Sequence, residues 1–443
     1  MKKPLDRLRL GVWERGIALG KISLSTSLGA GLTKMRSLLA NDADKAALLR
    51  EFLTKGAARL SQEFGELKGS LMKAGQMLSV YGEQFLPPEI NAVLKTLQKD
   101  SAPVAWTVVE PLLERELKQR FIDFTIERDP VGSASLGQVH RGVERSSGNV
   151  FAFKLRYPGV EKAIESDLKL MRKMLGVAGL LPNVGNLDAV FDEARTMLRQ
   201  EVDYRRELEL TVQYRERIGQ DGRFVVPRAI PELSTEGLLV TTFEQSSSVD
   251  SPEVAALSLE RRNRLATAFF ELYLTELFHF HAVQTDAHFG NFGVRIDPTG
   301  VRDQWVLYDF GAVRELPTDF VESYRKLATG ALNYDRPLLT QAMQELRLTV
   351  ADDNEKYVNA LASIAELGME SVRGPGVYCW GISDLPMRVS IKARELLFQG
   401  QVRVPRPELL SLDRKTSGVF VVLAKLGAEI ETRTTIDRYL KMP

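Results

Sequence analysis

Cysteine is nearly missing from this sequence, and histidine is scarce. Cys379 is the single thiol among 443 residues, and the four histidines are His140, His279, His281 and His288. One cysteine excludes an intramolecular disulfide framework and fits a reducing compartment. The same scarcity argues against a metal centre built from thiolates and imidazoles, and His279 and His281, at the end of an apolar helical pattern, read as structural. Long hydrophobic runs are missing too. The longest uncharged stretch, Met174–Leu187, is interrupted by glycines and Pro182, and falls short of the roughly 18–20 apolar residues that a membrane span needs. The N-terminus is basic but lacks the apolar core of a cleavable signal peptide. Charge of one sign is not in excess: 59 Lys and Arg against 58 Asp and Glu leave a net charge of +1, which argues against a dedicated nucleic-acid binder. What remains is ordinary globular composition, 44% hydrophobic and 26% charged, in a chain long enough for two lobes with separate cores.

The informative stretch is His281–Gly311. Asp286 is followed five residues later by Asn291, and Asp309-Phe310-Gly311 closes the segment. Between them, Phe292–Ile296 and Gln304–Tyr308 read as a hairpin around the polar turn Asp297-Pro298-Thr299-Gly300. An isolated Asp-Phe-Gly carries little information, and an ordinary hairpin with acidic ends is the bland reading. The ordered set Asp286, Asn291, Asp309 is the layout of kinase-like phosphotransferases. In that chemistry a loop Asp orients or deprotonates the nucleophile. An Asn on the same loop and an Asp after the next hairpin supply the hard oxygen ligands that Mg²⁺ requires.

The other half of such a site is sought upstream. The run Gly132, Ser133, Ala134, Ser135, Leu136, Gly137 precedes an alternating strand. Tiny side chains let backbone N–H groups approach phosphate oxygens, although an ordinary turn has the same composition. Next comes Val150–Leu155, with Lys154 the one charge in an apolar strand, as in the Val-Ala-Ile-Lys pattern that pairs a lysine with nucleotide phosphates and an acidic helix residue. Leu187–Ile218 reads as one long charged helix carrying Glu201, Asp203 and Glu207; the last two are spaced i, i+4, so they repel mildly unless lysines face them. Lys154 and Lys73 are the candidates. By its own neighbours, Lys73 is a solvated lysine beside Gly75, a glycine that costs a helix about 1 kcal/mol relative to alanine.

The remaining segments frame these motifs. Residues 1–35 interleave basic and apolar positions at near-helical spacing, as a helix on anionic lipid or one packed on the protein would. Residues 43–98 read as helices, 105–120 as a short helix, and 160–181 as another. Gly237–Phe243 is a strand leading toward an interlobe hinge near Glu244. Asp250–Ala256 reads as a loop and Arg261–Phe280 as a strongly apolar helix. From 318 onward the pattern is helical, with Gly374-Pro375-Gly376 as a flexible break.

Assembled in order, the motifs resemble the UbiB/AarF atypical kinase-like family, whose mitochondrial members support coenzyme Q synthesis. The resemblance runs from about residue 60 to 430. It rests on Lys73-Ala74-Gly75-Gln76, Ser135–His140, Lys154 before Tyr157-Pro158-Gly159-Val160, Glu201-x-Asp203-Tyr204 with Glu207, Gln284-Thr285-Asp286, Asn291 and Asp309-Phe310-Gly311. It implies an α+β, bilobal protein-kinase-like fold with an N-terminal helical extension. The implied domains are an extension over 1–104 carrying the Lys-x-Gly-Gln element, an N-lobe over 105–245 with a helical insert, and a helical C-lobe over 246–443. It also reverses the bland reading of Lys73. Lys73, Gly75 and Gln76 would fold over the active site, with Lys73 facing Glu201 and Asp203. Lys154 would pair with Glu207 and contact phosphates. Asn291 and Asp309 would bind Mg²⁺, Asp286 would be the catalytic-loop Asp, and Gly132, Ser133, Ala134, Ser135, Gly137 and Glu244 would line the ATP site.

Two departures stand out. Gly132-Ser133-Ala134 replaces the family's Ala-Ala-Ala, which bears on nucleotide preference or loop mobility. Gln284-Thr285-Asp286 is nearer the coenzyme Q branch than the bacterial His-Ala-Asp pattern. The expected function is Mg²⁺-dependent ATP hydrolysis or phosphoryl transfer supporting isoprenoid-quinone or related lipid metabolism. An active small-molecule or protein kinase and a nucleotide-gated scaffold for lipid enzymes are the alternatives. Expected partners are ATP, a lipid or isoprenoid small molecule and quinone-biosynthesis enzymes, but no nucleic acid. The expected location is the cytoplasm with peripheral contact at the inner membrane.

Overall fold

The computed structural model describes residues 73, 75, 103–133, 136–177, 187–398 and 406–441. The amphipathic segment expected over 1–35, the helices expected over 43–98 apart from Lys73 and Gly75, and Gln76, Ala134 and Ser135 lie outside the described residues. Lys73 and Gly75 are both helical. The chain divides into two compact units, Met1–Glu209 with Arg228–Phe243, and Leu210–Pro227 with Glu244–Pro443. Helices and sheets are mixed, as an α+β fold requires.

In the first unit, helix α1 (Trp106–Leu117) precedes strands β1 (Phe124–Ile126), β2 (Gly132–Ser133), β3 (Gly137–Glu144) and β4 (Val150–Arg156). Helices α2 (Val160–Val177), α3 (Leu187–Glu201) and α4 (Tyr204–Ile218) follow, and the boundary between the units falls within α4. The chain gives β5 (Phe224–Val225) to the second unit and returns as β6 (Leu238–Thr242). The sheet is antiparallel in the order β1-β3-β4-β6, with β2 on β3. Phe151, Phe153 and Leu155 are buried while the residues between them are only partly so. That period of two places Lys154 on the opposite face from Phe153. Phe153 meets Phe124 nearly edge-on at 5.2 Å between ring centres, a favoured aromatic geometry.

Behind this sheet the single long helix expected over 187–218 is two helices. The chain breaks at Val202-Asp203 because Asp203 acts as an N-cap. Its Oδ1 accepts the Arg206 N–H at 3.0 Å, satisfying a first-turn donor that has no partner within the helix. Arg156 donates to the Val202 carbonyl left over at the break. Helices α2 and α3 bury Ile164, Leu168 and Met171, and Phe191, Ala194 and Leu198, stripes with the 3.6-residue period. Arg195 and Arg199 of α3 both reach Glu165 of α2.

In the second unit, the segment expected to be a loop over 250–256 contains the short helix α5 (Pro252–Ala255), started by the Ser251 hydroxyl. Helix α6 (Leu259–Phe278) leads into β7 (Ala282–Gln284), and the hairpin β8 (Phe292–Arg295) and β9 (Gln304–Leu307) follows. Strand β10 (Val313–Glu315) pairs with β7, and β5 lies parallel to β9. Then come α7 (Thr318–Asn333), α8 (Arg336–Glu345), α9 (Glu355–Gly368) and α10 (Glu370–Arg373), strand β11 (Val377–Cys379), α11 (Leu385–Phe398), α12 (Pro407–Lys425), strand β12 (Glu429–Glu431) and α13 (Arg433–Leu440). The β11–β12 pair, whose first strand begins just after the expected break at Gly374-Pro375-Gly376, interrupts a C-terminal segment otherwise expected to be helical; three-residue strands are too short to display a period. Trp305 of β9 is fully buried, and its indole N–H donates to the Leu265 carbonyl of α6 at 2.8 Å. This anchors the hairpin on the helix that delivers the chain to it. Among the described residues no helix is long and apolar enough to cross a membrane.

Candidate functional site

In the first unit the candidate side chains gather on the less buried face of β4. Lys154 Nζ lies 2.6 Å from Glu207 Oε1. The Glu207 side chain is 1% exposed and that of Lys154 25%. A carboxylate buried to this degree needs a cation, because an unpaired buried charge costs several kcal/mol. The Tyr204 ring, one turn before Glu207 on α4, lies 5.4 Å from the Lys154 ammonium, close enough for a cation–π contribution. The helix break thus has a consequence for the site: it starts α4 at Tyr204 and aims both Tyr204 and Glu207 at β4. Asp203, at the break, is exposed. Lys73 Nζ meets Glu201 Oε1 at 2.7 Å, with both side chains largely shielded. The helical element that carries Lys73 and the end of α3 are therefore joined by an ion pair.

The small-residue segment begins as strand, with Gly132 opposite Val139 and Ser133 opposite Gln138. Gly137 is fixed by packing. A Cβ there would lie 2.4 Å from the Leu155 carbonyl oxygen and 3.0 Å from the Tyr204 hydroxyl. Beneath it lies a buried polar network. Gln138 exchanges hydrogen bonds with the Val104 backbone at 2.9 and 3.3 Å, and accepts from the Tyr157 hydroxyl at 2.8 Å. The Gln138 amide N–H₂ faces His140 Nε2 at 2.8 Å, and His140 Nδ1 lies 2.9 Å from the Glu127 carbonyl. An amide N–H₂ can only donate, so His140 is neutral with its proton on Nδ1. Burial holds its pKa below the usual imidazole range, opposed by the Glu127 carbonyl and by Asp129.

In the second unit, the β7–β10 pair sets the start of the catalytic-type loop. The Thr285 N–H and hydroxyl both donate to the Ala312 carbonyl, at 3.1 and 2.8 Å, which fixes the backbone one residue before Asp286. Asn291 Nδ2 donates to the Asp286 carbonyl at 2.8 Å. The loop is thereby closed across its five-residue span, and the Asn291 amide is oriented with its nitrogen inward. Tyr308 N–H donates to the Asn291 carbonyl at 2.9 Å, so the hairpin brings the residue before Asp309 to Asn291. Asp309 Oδ1 accepts the Gly311 N–H at 2.9 Å, and Gln284 Nε2 donates to the Asp309 carbonyl at 3.3 Å. Phe310 is buried against Tyr214 of α4, with ring centres 4.6 Å apart. Glu244 pairs with Arg295 of β8, and its carbonyl accepts from the Tyr308 hydroxyl.

Helix α12 supplies residues that the sequence reading passed over. Arg414 Nη2 lies 2.6 Å from Asp286 Oδ1. Lys415, the next residue, forms a buried pair with Glu276 of α6 at 2.8 Å. Burial raises the Glu276 pKa, and the Lys415 charge opposes the rise. Gly418, one turn beyond Arg414, abuts the loop itself: a Cβ there would lie 2.1 Å from Ala287 Cβ. The available signal was two adjacent cations and a glycine in a helix of mixed polarity. It named no partner, because the acceptor lies 128 residues away in sequence.

The donor set suits a hard cation. Asn291 and Asp309 offer oxygen ligands, of the type Mg²⁺ takes alongside phosphate oxygens. Among the described residues there is no cluster of three or more His, Cys, Asp or Glu side chains that would form an all-protein metal cage.

Comparisons with known proteins identify the family. The ABC1 atypical kinase-like domain matches residues 96–343. The chain is 30% identical over 378 residues to "Atypical kinase COQ8, mitochondrial" of Saccharomyces cerevisiae, covering 84% of this chain and 74% of that protein. It is 31% identical over 291 residues to "Probable protein kinase UbiB" of Vibrio atlanticus, covering 61% and 52%. Among solved structures it resembles the complex of Rv3197 with erythromycin from Mycobacterium tuberculosis. The TM-score is 0.57 at 25% identity, over 90% of this chain and all of that one. The chain is a kinase-like enzyme and belongs to the ABC1 atypical kinase-like family, the UbiB/AarF group that its motifs resemble.

Proposed function

We propose that this protein binds Mg²⁺-ATP and hydrolyses it or transfers its γ-phosphoryl group, in support of isoprenoid-quinone or related lipid metabolism at a membrane surface. The observation that carries the reading is the closed Asp286–Asn291 loop joined by a hairpin to Asp309. Asn291 and Asp309 would hold Mg²⁺, which when bound neutralises phosphate charge. Lys154, held by Glu207, is assigned to the nucleotide phosphates. The backbone from Gly132 to Gly137, including Ser133, Ala134 and Ser135, is assigned to covering them. Asp286 orients the nucleophile. Catalysis of this kind is mostly positioning and electrostatic stabilisation, so it needs rigid groups rather than covalent chemistry. Glu244 is assigned to the nucleotide's surroundings. Lys73, Gly75, Gln76, Glu201 and Asp203 are assigned to a covering element that restricts protein substrates. A small lipid or isoprenoid acceptor fits that assignment. The solved complex of the relative Rv3197 with erythromycin, a small organic molecule, supports that assignment. The proposed location is the cytoplasm, peripheral at the inner membrane.

The test is phosphate release from Mg²⁺-ATP, with and without anionic liposomes, for wild type and Asp309→Asn. Lipid-stimulated turnover that is lost in the variant supports a membrane-surface ATPase. Phosphate appearing on an added lipid or protein, rather than free, identifies a kinase. ATP binding without turnover in either protein supports the nucleotide-gated scaffold instead.

A further inference from the structure

We infer that Arg414 is a positioning residue for Asp286, and that helix α12 is the element that sets the pose of the catalytic-type loop. The inference rests on the reading of Asp286 as the residue that orients the nucleophile. Four contacts along α12 support it. Arg414 reaches Asp286 Oδ1 at 2.6 Å, with side chains only 16% and 18% exposed. Gly418, on the same face one turn later, allows the helix backbone to approach Ala287 where no larger residue fits. Lys415 locks the helix to α6 through Glu276 at 2.8 Å, and the Thr416 hydroxyl meets that of Tyr273, also on α6, at 2.8 Å. The guanidinium is therefore mounted on a fixed helix, unlike an exposed arginine that samples many rotamers.

A planar guanidinium fixes the orientation of a carboxylate through its fork of N–H donors. Held in this way, Asp286 is placed to aim an O–H group at phosphorus, the role that the proposed activity gives it.

The experiment compares wild type, Arg414→Ala and Arg414→Lys in full-length protein. Mg²⁺-ATP affinity and turnover are measured, with and without sub-denaturing guanidinium chloride. Hydrogen–deuterium exchange is measured over residues 285–291. The expected result for Arg414→Ala is affinity within about twofold of wild type and kcat reduced about a hundredfold, the scale of a roughly 1 Å misplacement. Added guanidinium should restore part of kcat, which a merely structural defect would not allow, and Arg414→Lys should fall between. Loop exchange should quicken in Arg414→Ala. Unchanged kcat, a loss confined to affinity, or loop exchange equal to wild type overturns the inference. If wild type neither binds nor turns over Mg²⁺-ATP, the proposed function fails, and the exchange comparison still decides whether Arg414 sets the loop.

Discussion

Replacing Gly418 by alanine separates stability from activity. In an ordinary helix interior the change would stabilise by about 1 kcal/mol, since glycine loses more backbone entropy on folding than alanine. Here the new Cβ would fall 2.1 Å from Ala287 Cβ, whereas non-bonded carbons settle at about 3.5–4.0 Å, so the two backbones must separate by about 1.5 Å. Neither atom is the end of a flexible side chain, and Lys415–Glu276 resists movement of the helix. Overpacking of this kind costs about 1–3 kcal/mol, so the net effect on stability is between about zero and 2 kcal/mol of destabilisation. The Asp286 loop moves instead, and a shift of that size lowers kcat about a hundredfold. Urea denaturation and Mg²⁺-ATP turnover of Gly418→Ala measure the two effects. A variant about 1 kcal/mol more stable than wild type, with unchanged turnover, would refute the close approach of α12 to the loop.

Three further outcomes follow from the same structure. Lys415→Met should destabilise by about 3–5 kcal/mol, because Glu276 is left buried without its cation; adding Glu276→Gln should recover much of the loss in denaturant titrations. His140 should make stability depend on pH. Its folded pKa lies below the unfolded value near 6.5, so its contribution is complete above about pH 6.5 and declines as pH falls below that, by up to about 1.4 kcal/mol per unit. In His140→Gln that part of the slope should vanish in unfolding curves taken between about pH 5 and 7. Gly137→Ala should destabilise by about 1–3 kcal/mol, since its Cβ meets the Leu155 carbonyl oxygen of the neighbouring strand. A neutral effect would mean that this strand pair is looser than described.

Sequence periodicity and spacing determined the local features by themselves. The β8–β9 hairpin, the alternation that sets Lys154 opposite Phe153, and the order Asp286, Asn291, Asp309 were all legible, because each depends on neighbours within a few residues or on one strand's period. The break between α3 and α4 was hidden inside a continuous charged pattern. Asp203 looks like a mid-helix acid until its carboxylate is seen capping Arg206. The motif resemblance implied Lys154 with Glu207 and Lys73 facing Glu201 and Asp203; only the tertiary structure decided that Lys415 meets Glu276 and Arg414 meets Asp286. Such pairs are fixed by how helices rotate and pack against distant strands and loops, and any of several acids would satisfy charge in the linear sequence. The role of Gly418 is of the same kind. A glycine in a helix signals only permissiveness, and the close backbone approach it permits exists only once α12 lies against Ala287.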